Sequence, residues 1–313
     1  MASEDAVRAT NDDASQCKRF AVEKGYWEDP YISLLTSRPQ AKHAPEINRG
    51  YYARVHGLRV LLEHFLKLTE CRCQIVNLGA GFDTTFWVLK DRGLAPKSFI
   101  EVDFPILTAQ KCRLIKSRKA LLEKIVNEAG EISVSSSELH GNNYHLVGAN
   151  LQNLSDFEKK LEESGFDKTL PTVFVAECVL IYMEMKRTEE LVKWISDNIT
   201  TSFFLNYEQV HMADKFGQVM VDNLKARDCT LPGIKACVSL ETQRERFLSR
   251  GWDGCDSLEM THVYNFLPQK EIQRIEKLEF LDERELLDQL FAHYCITWAW
   301  KDPTNIGLAE ITF

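Results

Sequence analysis

The chain has no apolar run long enough to cross a membrane. Its longest, Thr172 to Met183, is interrupted by Glu177 and falls short of the roughly 20 residues a bilayer helix requires. No Cys-x-x-Cys pair occurs among its nine cysteines, so a zinc ribbon or a disulfide framework is not expected, and reduced thiols in a cytoplasmic setting are. Positive charge is in deficit: 38 Lys and Arg stand against 46 Asp and Glu, a net charge of −8. That balance argues against a phosphate-tracking nucleic-acid surface. HExxH, GxSxG and Walker A patterns are all missing, which leaves hydrolase and nucleoside-triphosphatase readings without their residues. The start, MASEDAVRATNDDASQ, has neither an apolar signal core nor an arginine-rich face. Residues 1–16 are expected to be a disordered tail.

What is present is an ordinary globular composition, 44% hydrophobic and 27% charged over 313 residues, consistent with one α/β domain carrying added elements. The stretch CQIVNLGAGFDTTFW, Cys73 to Trp87, reads as a strand, a glycine turn at Gly79-Ala80-Gly81 and a helix start at which Asp83 accepts from the first amides. A dinucleotide fingerprint needs a third glycine at position 84. Thr84 stands there, which tilts the turn away from a phosphate-bearing cofactor and toward an adenosyl ligand without phosphate, such as S-adenosylmethionine.

Helical periodicity runs from about Tyr51 to Leu68, after a segment closed by Pro45, and places Arg54 in the row of Leu58, Leu61 and Phe65. A guanidinium on a core-facing stripe needs an anion. A structural salt bridge and a clamp for a ligand carboxylate are both open. A second strand, SFIEVD, ends in Asp103 at the separation from Gly79 where this fold class places a carboxylate on a ribose; a helix cap before Phe104-Pro105 is the alternative. Phe104 to Asn127 reads as helix, and GEISVSSSELHGNN as a mobile serine-rich loop. After the third strand, Tyr144 to Gly148, come Asn150 and Leu151, suited to an adenine edge and face or simply to a turn, and then a capping box at Ser155 with Glu158.

The fourth strand, Thr172 onward, is apolar except for Glu177, as expected of a central parallel strand. Glu177 is either a carboxylate beside a cationic ligand or a buried acid paired with Lys or Arg. A fifth strand, Thr201 to Val210, brings Tyr207 to its end, and Tyr182 follows the fourth. Residues of about 211–250 leave the alternation with helices at Ala213 to Arg227 and Ser239 to Arg250, an insertion that would roof the site. Trp252 to Met260 and a helix around Leu281 to Phe291 follow. His293 to Trp300 and Gly307 to Phe313 are expected to close the sheet as a terminal antiparallel hairpin.

Five segments in this order, KHAPEINRGYYARVHG, IVNLGAGFDTTFW, FIEVDFP, FVAECVLIYM and FLNYEQV, closely resemble the leucine carboxyl methyltransferase family, with similarity from about Cys17 to Phe313. The resemblance implies a class I, Rossmann-like S-adenosylmethionine-dependent methyltransferase fold: a mostly parallel sheet, a single domain over 17–313, an N-terminal helical lid at 17–68 and a lid insertion at about 211–250. By the same resemblance Lys18 and Arg54 reach the cofactor, Gly79 lies against its methionine portion, Asp103 holds the ribose, Asn150 and Leu151 flank the adenine and Glu177 lies on the cofactor floor. Asn150 departs from the family's usual Asp. The implied acceptor is the C-terminal leucine of the protein phosphatase 2A catalytic subunit, reached through its tail by a monomeric, cytoplasmic enzyme that uses neither metal, membrane nor nucleic acid and releases S-adenosylhomocysteine.

The residues fit that chemistry. A chain-terminal carboxyl, with a pKa of about 3.3–3.7, is already an anion at neutral pH and needs no base. Catalysis then reduces to alignment, for which Arg54, Tyr182 and Tyr207 are the candidate residues. Three rivals stand beside this reading: a nicotinamide oxidoreductase, a relative acting on a carboxyl group of a modified transfer-RNA base, and a phosphatase-binding protein without activity.

Overall fold

Five parallel strands form the centre of the molecule. The computed structural model describes residues 4–37, 42–126 and 131–313. Its sheet is built from β1 (Gln74–Leu78), β2 (Ser98–Asp103), β3 (Ser133–Val134), β4 (Leu139–His140), β5 (Tyr144–Gly148), β6 (Thr172–Glu177), β7 (Ser202–Gln209), β8 (Gly254–Glu259) and β9 (Tyr294–Lys301). The spatial order is β3-β4-β5-β2-β1-β6-β7-β9-β8. Strands β5, β2, β1, β6 and β7 are parallel, and the pairs at both edges are antiparallel.

The chain winds from β1 outward through β2 to β5, then crosses back to β6 and β7. The reversal falls between β1 and β6, which pair Leu78 with Ala176, and a crevice opens beyond the carboxyl ends of strands at such a reversal. Gly79 and Glu177 leave their strands there.

Helices cover both faces, as the fully buried β1 and β7 require. Four lead up to the second strand's helix layer: α1 (Glu4–Glu23), α2 (Ile32–Leu35), α3 (Pro45–Leu68) and α4 (Thr85–Asp91). They are followed by α5 (Pro105–Ser117), α6 (Lys119–Leu122), α7 (Leu154–Glu163) and α8 (Met185–Asn198). The last five are α9 (Lys215–Lys225), α10 (Leu240–Leu248), α11 (Met260–Phe266), α12 (Gln269–Glu276) and α13 (Arg284–Ala292). One core gathers α3, α4, α11 and α13 on one face of the sheet; a second gathers α7, α8 and α10 on the other. Helix α3 buries Tyr52, Leu58, Leu61, Leu62, Phe65 and Leu66, each contributing roughly 1.5–3 kcal/mol. It is therefore a layer of the core, and the roof of the crevice is α1.

Several expectations are corrected. Residues 4–16, expected to be disordered, are the first part of α1, while 1–3 lie outside the described residues. Val7, Asn11, Ala14 and Lys18 form a helical stripe and all four face the crevice, so tertiary contact holds a helix whose composition alone argues for none. Pro45 opens α3 instead of closing a segment: it occupies the first turn after Ala44, where a missing N–H costs nothing.

The basic helix after Phe104 is two pieces ending at Leu122; Asn127 lies outside the described residues. The serine-rich stretch, of which Gly130 is likewise outside, supplies β3 and β4 and extends the sheet. Asn153, not Ser155, caps α7, accepting from the amide of Asp156. The antiparallel pair at the far edge joins β9 to β8, with Leu258 opposite Ile296. Residues 307–313 add a short 3-10 turn at Leu308–Glu310 instead of a strand, and Phe313 packs edge-on to Trp298, 5.6 Å between centroids.

Candidate functional site

A cavity of about 610 Å³ lies at the crevice, floored by the glycine turn and the ends of β2 and β6 and roofed by α1 and the segment after β7. Lys18, Arg54, Gly79, Asp103, Asn150, Leu151, Glu177 and Tyr182 all line it. Eight of the nine residues proposed from sequence thus converge; the ninth, Tyr207, stands behind Arg54.

Gly79 and Gly81 both take positive φ, +62° and +48°, a conformation that a Cβ makes costly. The turn they allow is closed. The amides of Gly79 and Ala80 donate to the carbonyl of Val102 at 2.8 and 3.2 Å, and that of Asp83 to Ala80 at 2.9 Å. Gly81 donates to Asp103 Oδ2 at 2.6 Å and Phe82 to Asn11 Oδ1 at 3.0 Å. Asp83 Oδ1 takes the amide of Thr85 at 2.8 Å. A phosphate cradle needs free amides, and every amide from Gly79 to Asp83 already has an intramolecular acceptor.

Asp103 is buried and also accepts from Phe104 N at 2.7 Å. Burial pushes its carboxyl up, opposed by the amides of Gly81 and Phe104. Each oxygen keeps a second lone pair for a hydroxyl. Asn150 spends its oxygen on Gln152 N at 2.9 Å, closing a turn, so its amide NH2 is the group available to a ligand.

Glu177 draws the two predicted cations together. Lys18 Nζ lies 2.8 and 3.1 Å from its two oxygens and Arg54 Nε donates to Oε1. Burial is the largest single effect and raises the carboxyl; the fields of Arg54 and Lys18 with their hydrogen bonds outweigh it and hold it down to about 2. The sequence left open whether Glu177 is a paired acid or a ligand-facing one. The geometry makes it both, since it is paired and lines the cavity.

Arg54 is gripped from its faces as well. Its guanidinium carbon lies 5.2 Å from the Tyr51 ring and 4.7 Å from the Tyr207 ring, within cation–π range. Tyr207 in turn stacks on Tyr294 at 5.3 Å and 9°. Tyr207 accordingly positions the cation and does not face the cavity. Tyr51, Cys178 and Tyr294 line the site without having been singled out. Nothing in the sequence around Tyr294 marks it, because β9 is brought to the site only by sheet pairing. The stripe at 7, 11, 14 and 18 marks the face that α1 turns to the cavity once it is helical, and contact with the rest of the fold decides that it is.

The roof is tied across the cavity mouth, where Asp13 of α1 pairs with Arg227 beyond α9 at 2.5 Å. Among the described residues no group of three or more His, Cys, Asp or Glu is arranged to hold a metal ion, and no helix is long and apolar enough to cross a membrane.

A family model described as leucine carboxyl methyltransferase matches residues 6–196. Leucine carboxyl methyltransferase 1 of Bos taurus is 48% identical over 312 residues, covering 99% of this chain and 94% of that one. The chain belongs to the leucine carboxyl methyltransferase family.

The Caenorhabditis elegans member of the same name is 40% identical over 303 residues, covering 94% of this chain and 91% of that one. The human tRNA wybutosine-synthesizing protein 4 is 35% identical over 307 residues, covering 96% of this chain and 44% of that protein. Family membership makes the chain an S-adenosylmethionine-dependent methyltransferase. The matched span, 6–196, takes in most of the roof helix and strands β1 to β6.

Proposed function

We propose that the chain transfers the methyl group of S-adenosylmethionine to the α-carboxylate of a C-terminal leucine, that of the protein phosphatase 2A catalytic subunit. The observation that carries this reading is the ion cluster of buried Arg54 with half-buried Lys18 and Glu177, beside a glycine turn whose amides are already satisfied. Two cations and one anion in a low-dielectric cavity favour a ligand carboxylate, and the closed turn disfavours a phosphate.

The residues fit the cofactor on their own chemistry. Lys18 and Arg54 would hold its methionine carboxylate, Glu177 its cationic groups, Asp103 the ribose hydroxyls, and the Asn150 amide with Leu151 the adenine. When bound, the cofactor supplies a methyl group activated by a sulfonium leaving group. The chain's part is to orient and to exclude water. No histidine lines the cavity among the described residues, and none is required, since the acceptor carboxylate is already ionised. Holding the two reactants in line supplies on the order of 7–11 kcal/mol of the barrier. Tyr182, at the cavity wall and held neutral by burial, is the donor we assign to the acceptor carboxylate.

The test uses methyl-labelled S-adenosylmethionine with phosphatase catalytic subunit whose last leucine is present, deleted or amidated, and with transfer RNA. Label is expected only on the intact leucine carboxylate. Transfer that ignores the deletion, or that goes to RNA, overturns the acceptor assignment and leaves the fold untouched. We place this chain in the cytoplasm as a monomer, which fractionation and sedimentation test.

A further inference from the structure

Glu208 is an acid with no assigned task. It follows Tyr207 in β7, so its side chain leaves the opposite face of the sheet, and it is fully buried. Its Oε2 accepts from the backbone N–H of Ile181 at 2.9 Å. No lysine, arginine or histidine forms an ion pair with it among the described residues; Arg246 is the cation whose field acts on it most strongly. A buried carboxylate without a close counter-charge is costly, and what this one holds is the turn Leu180–Tyr182.

The same turn is seized from the other side. The amide of Gly233 donates to the carbonyl of Ile181 at 2.9 Å, and a Cβ on Gly233 would stand 2.6 Å from the Leu180 carbonyl oxygen and 2.9 Å from Ile181 Cα. Ile181 is also the one residue of that turn in a third buried cluster, otherwise made of Met212, Leu231 and Cys237, with Tyr182 and Leu224 packed against it. The segment of about 211–250 therefore seats its own small core on the residues just after β6. Tyr182 and Met183 line the cavity beside Leu224 and Pro232 of that segment, whereas Gly79 and Asp103 are held by the β1 and β2 ends.

We infer that Glu208 and Gly233 are positioning residues for the acceptor: together they lock the Leu180–Tyr182 turn to the 211–250 segment, so that the acceptor end of the cavity is set independently of the cofactor end. This rests on the leucine-carboxylate reading for the identity of the acceptor but not for the locking itself.

Glu208→Leu and Gly233→Ala damage the lock from opposite sides, and Glu208→Gln restores an acceptor for the Ile181 amide. For a leucine-terminated peptide, the first two are expected to raise KM about tenfold or more, with the dissociation constant for S-adenosylhomocysteine within about twofold of wild type. Amide exchange over residues 178–184 should quicken about tenfold while α3 is unchanged, and Glu208→Gln should return both readouts to within about threefold of wild type. An unchanged KM, or a cofactor constant that moves in parallel with it, overturns the inference. If Glu208→Leu fails to fold, Gly233→Ala and Glu208→Gln decide it. If the wild-type chain does not methylate the peptide, the function reading falls, and exchange over 178–184 still decides whether the lock exists.

Discussion

Arg54 and Glu177 meet across 123 positions of sequence, the guanidinium Nε of α3 donating to the carboxylate Oε1 at the end of β6. Neither residue is explicable alone: a bare guanidinium in α3's apolar stripe or a bare acid at the end of a central strand would each be strongly unfavourable. With Lys18 they leave the cavity cationic toward an incoming carboxylate.

Arg54→Lys keeps the charge and loses the planar fork as well as the stacking between Tyr51 and Tyr207. We expect kcat/KM to fall by about 10–100-fold, corresponding to roughly 1.4–2.8 kcal/mol. Steady-state kinetics with varied cofactor check this, and wild-type kinetics in the variant would remove the clamp.

The roof predicts a dissociable contribution. Asn11 takes the amide of Phe82, so deleting residues 2–14 exposes the glycine turn without touching the sheet. Calorimetric affinity for S-adenosylhomocysteine should drop by about tenfold or more, equivalent to roughly 1.4 kcal/mol, while the cooperative thermal transition of the remaining chain persists.

Lys111 and Glu101 are both fully buried and 2.5 Å apart, with Tyr144 donating to Glu101 at 2.6 Å and Lys111 also donating to the Asp83 carbonyl at 2.7 Å. Lys111→Met leaves the acid unpaired and should destabilise the chain by about 3–5 kcal/mol. Replacing Glu101 with Leu in the same chain should recover much of that loss in denaturant titrations, because no buried charge then remains.

Thr84 occupies the position of the missing third glycine and donates to Asp29 Oδ2 at 2.5 Å. Thr84→Gly is expected to cost about 1–2 kcal/mol through the lost hydrogen bond and added backbone freedom. It should not create affinity for NAD, since the turn's amides stay occupied; a thermal shift on adding NAD would contradict this.

Stability against pH should carry two opposite slopes. Glu177 is depressed to about 2, so its contribution is complete above the ordinary carboxylate range near pH 4.3 and is lost as pH falls toward 2. Glu208 is raised to about 7, chiefly by burial, so its contribution is complete below the ordinary range and is lost as pH rises through 7. Relative to wild type, Glu208→Gln should therefore gain stability between pH ~4.5 and 8, by up to a few kcal/mol, and Glu177→Gln should lose it as pH rises from 2 to 5. Chemical denaturation at several pH values reads both.

The amino-acid sequence by itself determined the parallel strands and their ligand-binding ends, because each strand is a short apolar run and each candidate residue stands at the point where apolarity stops: Gly79 after Leu78, Asp103 after Val102, Glu177 after Ala176. It also marked Arg54 as needing an anion, since a charge out of phase with its surroundings is visible in a helical stripe. Tertiary structure alone decided which anion that was, because an ion pair between α3 and β6 depends on how the helix lies on the sheet. It likewise decided that the polar first residues are a helical roof, that β9 pairs with β8 and not with 307–313, and that Tyr207 supports the cation and does not face the ligand. These are contacts between elements distant along the chain, and local periodicity carries the face a residue presents but not the partner that face will meet.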